Sequence, residues 1–267
     1  MAGSDPEAEM IGAIAGDIIG SAYEFGRTKS KEFPLFGPGS GFTDDTVMTV
    51  AIAQAILTDG DYRRAALDFG RRYPNAGYGG SFAHWLVATD PKPYGSYGNG
   101  SAMRASPVGF AFGTVEDVLR EAARSAAFSH NHPEGIKGAQ ATALAILVAR
   151  TEHDKARIRE EIASRFGYDL ARTVDGIRPA YGHDESCQKT VPEAIVCFLE
   201  SDSYEDCVRN AVSLGGDADT LACIAGGIAE AYYGPVPPEI RHKAREILAP
   251  ELWEITEDFC GRFRLTA

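Results

Sequence analysis

The sequence predicts an all-α protein, and three observations carry that expectation. Apolar residues recur at helical spacing through most of the chain, alternating strand-like patterns are nearly absent, and no linker of disordered composition divides it. At 267 residues, 44% hydrophobic and 24% charged, the chain can bury one large core. We therefore expect one domain of a dozen or so helices over residues 10–267. Residues 1–9 are small, polar and acidic and read as a disordered leader or a cloning scar, with Met10 as a natural start. They lack the basic and apolar regions of a secretion signal, and no window nears the roughly 18 apolar residues of a membrane span. The expected location is the cytoplasm.

Residues 11–23 read as a buried helix, apolar nearly all round, with Gly12, Gly16 and Gly20 on one face where a neighbouring backbone can come close. Asp17 inside this run is either a capping partner for another helix or a residue supporting a metal ligand. Glu24 falls at the helix end, beside a Gly- and Pro-rich loop running to Gly41. It could swing over a pocket or sit solvated.

Thr43-Asp44-Asp45-Thr46 opens the next helix, whose apolar residues 47–57 place it centrally. Such residues are common caps, and a helix dipole favours carboxylates in the first turn. They are also oxygen donors of the kind a hard cation accepts. Gly215-Gly216-Asp217-Ala218-Asp219-Thr220 repeats the arrangement before a second apolar helix, expected to pack beside the first. Two such openings read as two halves of one site.

Residues 62–73 form a helix whose Arg63, Arg64, Arg71 and Arg72 make a solvated face. Residues 74–80 and 91–104 are Gly-rich and each runs into a helix. Backbone N–H groups there could cradle phosphate oxygens, although tight turns are the simpler reading and neither segment has Walker or dinucleotide-binding spacing. Tyr78 and Tyr97 could stack or hydrogen-bond. Residues 115–128 are amphipathic, and Pro133 begins a helix to Arg150. Of His130 and His132 before it, one could cap and one be solvated, or either could act at a site.

The charged residues 151–172 read as surface. Residues 181–192 are polar, a surface loop or a pocket wall, followed by apolar residues 194–199 and an amphipathic helix over 204–214. Pro235 and Pro250 punctuate two closing helices, with Trp253 anchoring core or lid.

The net charge of −12 gives no footprint for nucleic acid or an anionic membrane. A phosphate-bearing substrate would then need cations or backbone N–H groups. Five cysteines, none in a CxxC pair, suggest free buried thiols rather than disulfides or zinc.

Four segments together carry a family resemblance: Gly-Asp-Ile-Ile-Gly-Ser-Ala-Tyr-Glu-Phe at 16–25, Phe-Thr-Asp-Asp-Thr at 42–46, Gly-Ser-Tyr-Gly-Asn-Gly-Ser-Ala-Met-Arg at 95–104, and Ser-Leu-Gly-Gly-Asp-Ala-Asp-Thr at 213–220. In that order, over roughly residues 10–234, the chain resembles the ADP-ribosylglycohydrolases. These include the dinitrogenase reductase-activating glycohydrolases and the ADP-ribosyl-acceptor hydrolases. The resemblance implies an orthogonal all-α bundle around a central binuclear Mg²⁺ site, two ions per chain, with Mn²⁺ able to substitute.

Carried over by position, it makes Thr43, Asp44, Asp45, Asp217, Asp219 and Thr220 the metal ligands. Gly77, Gly79, Gly95, Ser96, Tyr97, Gly98 and Asn99 would line the diphosphate and ribose part of the pocket, with His130 near the ligand. Glu24 matches the mobile-loop glutamate of the O-linkage branch, although Glu-Phe after the first helix also occurs in the dinitrogenase-type branch.

The residue types fit this chemistry independently. Cleaving an anomeric bond develops oxocarbenium character, and two metals can fix ribose hydroxyls and favour deprotonation of a water. The expected activity is Mg²⁺-dependent removal of ADP-ribose from a modified protein or small conjugate by a monomer, with Asp45 and Asp44 at the water and Glu24 as acid or positioning group. Alternatives are a non-catalytic ADP-ribose-binding protein and a two-metal phosphohydrolase. The acceptor, whether arginine, serine, an O-acyl ester or a nucleobase, stays open.

Overall fold

The computed structural model describes residues 10–26 and 28–263; the expectation for residues 1–9 lies outside them. The described residues are helices and loops joined by one isolated antiparallel bridge, Gly98 to Ser186, as the sequence predicts. The first half holds α1 (Ile11–Ser21), α2 (Asp44–Leu57), α3 (Tyr62–Arg72), α4 (Gly80–Val87), α5 (Gly100–Met103), α6 (Ser106–Ala111) and α7 (Val115–Ala127). There follow α8 (Pro133–Glu152), α9 (Lys155–Phe166), α10 (Val174–Ile177), α11 (Cys187–Leu199), α12 (Tyr204–Ser213), α13 (Ala218–Tyr233), α14 (Pro238–Ile247) and α15 (Pro250–Arg262). No described helix is long and apolar enough to cross a membrane.

Local chemistry sets many of these boundaries. Side chains of Thr43, Asp61, Thr114, Asp154 and Ser203 each accept a first-turn N–H, and proline opens α8, α14 and α15. His132 caps α8, its Nδ1 accepting from Glu134 N at 3.1 Å.

The core is organised on α1 against α13, the most extensive helix pair of the fold. The glycine face of α1 makes that approach possible. A Cβ on Gly16 would lie 2.1 Å from the Ala222 carbonyl oxygen, and one on Gly20 2.4 Å from that of Ala218. Around the pair, α8, α11 and α12 pack on α13, while α2 packs mainly on α3, α15 and α6. The helices with acidic openings are therefore not flank-to-flank neighbours as expected. Their first turns converge, with Thr220 Oγ1 donating to Asp45 Oδ2 at 3.2 Å. Trp253 is a buried core residue with Arg241 and Arg245 over its ring.

Candidate functional site

Asp17 on α1 shapes the opening of α2. Its Oδ2 accepts from the backbone N–H groups of Thr43 (2.9 Å) and Thr46 (3.1 Å) and from the Thr46 hydroxyl, and its Oδ1 accepts from Thr43 Oγ1 at 2.7 Å. Of the two readings open for Asp17, the capping one is observed. Thr43 Oγ1 in turn accepts from Asp45 N. Asp44 N donates to Ala76 O at 2.7 Å, tying this turn to the Gly-rich segment before α4. With the backbone donors occupied, the side chains of Asp44 and Asp45 face the pocket. Asp45 Oδ1 is buried with no hydrogen-bond partner.

The opening of α13 completes the acidic half. Asp217 Oδ2 accepts from Asn99 Nδ2 at 2.7 Å, and Asp219 Oδ1 from Thr220 N at 2.9 Å. Oxygens of Glu24, Asp217 and Asp219 come within 4.8 Å of one another. Burial raises the carboxyl pKa values of Asp44, Asp45 and Asp217 well above the usual range, with the charge of Asp219 next in effect. The same two causes lift Asp17 and Glu24 to about 7. Carboxyls packed this closely out of water disfavour one another's charge.

The same lining holds one cation. Arg104, 1% exposed, is the sole Lys or Arg among the described lining residues. Its guanidinium donates to the carbonyls of Ser125 and Ala126 at the end of α7 and to Ser129 Oγ at 2.9 Å, and it lies 4.4 Å from the centre of the Phe128 ring. Burial lowers its pKa to about 10, still charged at neutral pH. Ser129 Oγ stands 2.8 Å from His130 Nδ1. The serine hydroxyl thus links the Arg104 guanidinium to the imidazole. Burial and the Arg104 charge hold the His130 pKa well below normal, keeping the ring neutral.

The cavity has a volume of about 250 Å³. Glu24, Thr43, Asp44, Asp45, Gly77, Gly79, Ser96, Gly98, Asn99, His130, Asp217, Asp219 and Thr220 all line it, so the structure gathers most of the residues singled out in the sequence. Gly77 has φ of +99°, a conformation a side chain would strain, and lies beside the Asp44 carboxylate. Two residues stand apart from the lining. Gly95 donates its N–H to Asn131 Oδ1 at 2.7 Å, and Tyr97, 52% exposed, turns outward against the His132 ring. The sequence reading missed Tyr94, Phe82, Arg104 and Glu185 among the lining. Arg104 closes the quoted Gly-Asn-Gly segment; Glu185 lies in the polar run flagged as a pocket wall.

The loop after Glu24 is not a free flap. Lys31 pairs with Asp206, Arg209 donates to the carbonyls of Lys31 and Phe33 at 2.8 Å each, and Gly41 N donates to Ser21 Oγ at 3.1 Å.

Clustered carboxylates with one orphaned buried oxygen, and no described Lys or Arg ion-paired to them, are what a hard divalent ion fits. Asp44, Asp45, Asp217 and Asp219, with the Thr43 and Thr220 hydroxyls, could hold it, and Glu24 stands at the edge of the same cluster. Without a cation the folded protein keeps protons that the unfolded chain has released between pH 4 and 7, so its stability falls as pH rises through that window. The Tm of chelator-stripped protein should therefore fall from pH 5 to pH 8, while the gain from added Mg²⁺ grows over the same interval. A Mg²⁺ increment independent of pH would contradict this.

Comparison with known proteins follows the same lines. The chain matches the family described as ADP-ribosylglycohydrolase over residues 8–267. It is 29% identical to the ADP-ribosylhydrolase ARH3 of Mus musculus, covering 84% of this chain and 82% of that one. To the ADP-ribosyl-[dinitrogen reductase] glycohydrolase of Rhodospirillum rubrum it is 26% identical, over 84% of each. A solved structure, an ADP-ribosylglycohydrolase-related protein complex, superposes with a TM-score of 0.71 at 25% identity, covering 97% of this chain and 98% of that one.

Proposed function

The chain belongs to the ADP-ribosylglycohydrolase family, and from that premise we propose that it is a Mg²⁺-dependent hydrolase acting on ADP-ribosylated protein or a small ADP-ribosyl conjugate. It breaks the bond between the anomeric carbon and the acceptor and releases ADP-ribose. The observation that carries this reading is the polarity of the pocket. Carboxylates from two helix openings share the cavity with a neutral imidazole, Gly-rich backbone and a buried guanidinium. The neutral and cationic groups suit an anionic diphosphate, and the acidic openings suit the ribose.

Two bound divalent ions would supply Lewis-acid charge to fix ribose hydroxyls and acidify a water. Thr43, Asp44, Asp45, Asp217, Asp219 and Thr220 would hold them, with Mn²⁺ an acceptable substitute. Asn99 orients Asp217 through their 2.7 Å hydrogen bond, and Asp17 holds the first turn of α2 so that its carboxylates converge. Asp45 Oδ1, unpartnered, receives the proton of the attacking water, whose oxygen bonds to the anomeric carbon. Glu24, lining the cavity beside Asp217 and Asp219, can hand a proton to the departing acceptor as that bond breaks. Tyr94, 37% exposed, offers its ring to the adenine. His130 is a neutral polar group of the same lining. We further assign a cytoplasmic monomer, one domain over residues 10–267.

Stripping divalent ions with EDTA should abolish hydrolysis of ADP-ribosylated substrates, and Mg²⁺ or Mn²⁺ should restore it. Undiminished turnover in metal-free buffer would remove the basis for this reading.

A further inference from the structure

Lys29, which the sequence reading left without a role, reaches three separate backbones. Its ammonium donates to Arg178 O at 2.9 Å, to Tyr181 O at 2.6 Å and to Leu214 O. An ammonium has three N–H donors, and all are used. Arg178 and Leu214 are the C-caps of α10 and α12, whose last carbonyls attract a cation.

Each segment leads directly to the pocket. Lys29 itself follows the turn at residues 22–26 that carries Glu24. Tyr181 begins the wall that reaches Glu185, and its ring packs closely on Gly216. Leu214 leads through Gly215 and Gly216 into Asp217. Lys29 lines no part of the pocket itself.

We infer that Lys29 is a positioning residue for this site: one ammonium, through three carbonyls, fixes Glu24, Glu185 and the Asp217–Asp219 opening relative to one another. The loop is anchored again at Lys31 and Phe33, whose carbonyls accept from Arg209. Asn99 is tied to two of the same segments, its N–H donating to Glu185 O at 2.6 Å and its Nδ2 to Asp217 Oδ2 at 2.7 Å, whereas His130 is held on α7 through Ala126 O. Loss of the ammonium therefore loosens the acidic opening, the Glu185 wall and Asn99 together.

The inference draws on the proposed function only for its activity arm. Lys29→Met, with Lys29→Gln as a second variant, is compared with wild type by amide hydrogen exchange and by turnover of arginine- and serine-linked ADP-ribosyl peptides. Exchange should quicken at residues 22–28, 179–186 and 213–219 while α7 and α8 keep wild-type rates. Displacement of reacting groups on the ångström scale predicts a fall in kcat on the order of ten- to hundredfold. Lys29→Cys alkylated with bromoethylamine in a Cys260→Ser background rebuilds the ammonium and should recover both readouts. Wild-type exchange in the three segments, faster exchange spread evenly over the chain, or no recovery on alkylation would overturn the inference. Should wild type cleave neither peptide, the functional reading fails there while the exchange result still decides the role of Lys29.

Discussion

Asp219→Asn is expected to stabilise the metal-free protein and to abolish its activity. Asp219 follows burial as the largest cause of the raised pKa of Asp17, Glu24, Asp44, Asp45 and Asp217. Replacing its charge with an amide of the same shape relieves that repulsion, and the amide oxygen can still accept from Thr220 N. The Tm of stripped protein at pH 7.5 should therefore rise, each kcal/mol gained giving about 2–4 °C in a chain of this size. The same change removes a central oxygen donor, so the Mg²⁺-induced increment in Tm should collapse. Turnover should fall by at least about 10²–10³-fold, the range seen when one preorganised catalytic charge is lost. A carboxylate serving only as a cap would give the opposite sign, since its removal lowers stability. Calorimetry with and without Mg²⁺, beside a turnover assay, separates the two.

Gly16→Val should cause a large loss of stability, its added Cβ making the shortest contact of any described glycine position. The added Cβ would stand 2.1 Å from Ala222 O and 2.6 Å from its carbonyl carbon. Those are backbone atoms of α13, so no side-chain rotation can relieve the clash and α1 must move. The expected cost is at or beyond the upper end of the ~1–3 kcal/mol usual for overpacking. Because Asp17 rides on the same helix, the hydrogen bonds that hold the first turn of α2 go with it, and divalent affinity should drop as well. Gly261→Ala is the contrast, a helical position with nothing near the new methyl, where a gain of about 0.5–1 kcal/mol is expected. Denaturant unfolding of both variants measures the difference.

These two results concern features that differ in how they could be read from the sequence. The glycine face of α1 and the acidic openings of α2 and α13 were legible because they follow local rules: residues four apart share a helix face, and carboxylates and hydroxyls collect in first turns. The fold class was legible for the same reason. How the two openings meet was not. Flank packing was expected from two apolar helices, yet α1 takes the flank of α13 and leaves only the tips to converge at Asp45 and Thr220. No local pattern encodes that choice.

The same limit applies to the partners of single residues. Lys29 lies in an ordinary polar loop and finds carbonyls 149 to 185 positions away. Arg104 was visible only as the last letter of a glycine-rich segment, while its link through Ser129 to His130 is a tertiary contact. Gly95 and Tyr97 share a segment with Ser96, Gly98 and Asn99, and the sequence could not separate those that face the cavity from those that turn away. The chain there is irregular and offers no period to read.

The most direct test of the account is the product formed from a defined ADP-ribosylated peptide by the Mg²⁺-loaded protein, resolved by mass spectrometry. The account predicts intact ADP-ribose and the unmodified acceptor in equal amounts. AMP with a ribose phosphate left on the acceptor, or bound substrate with no product at all, would contradict it.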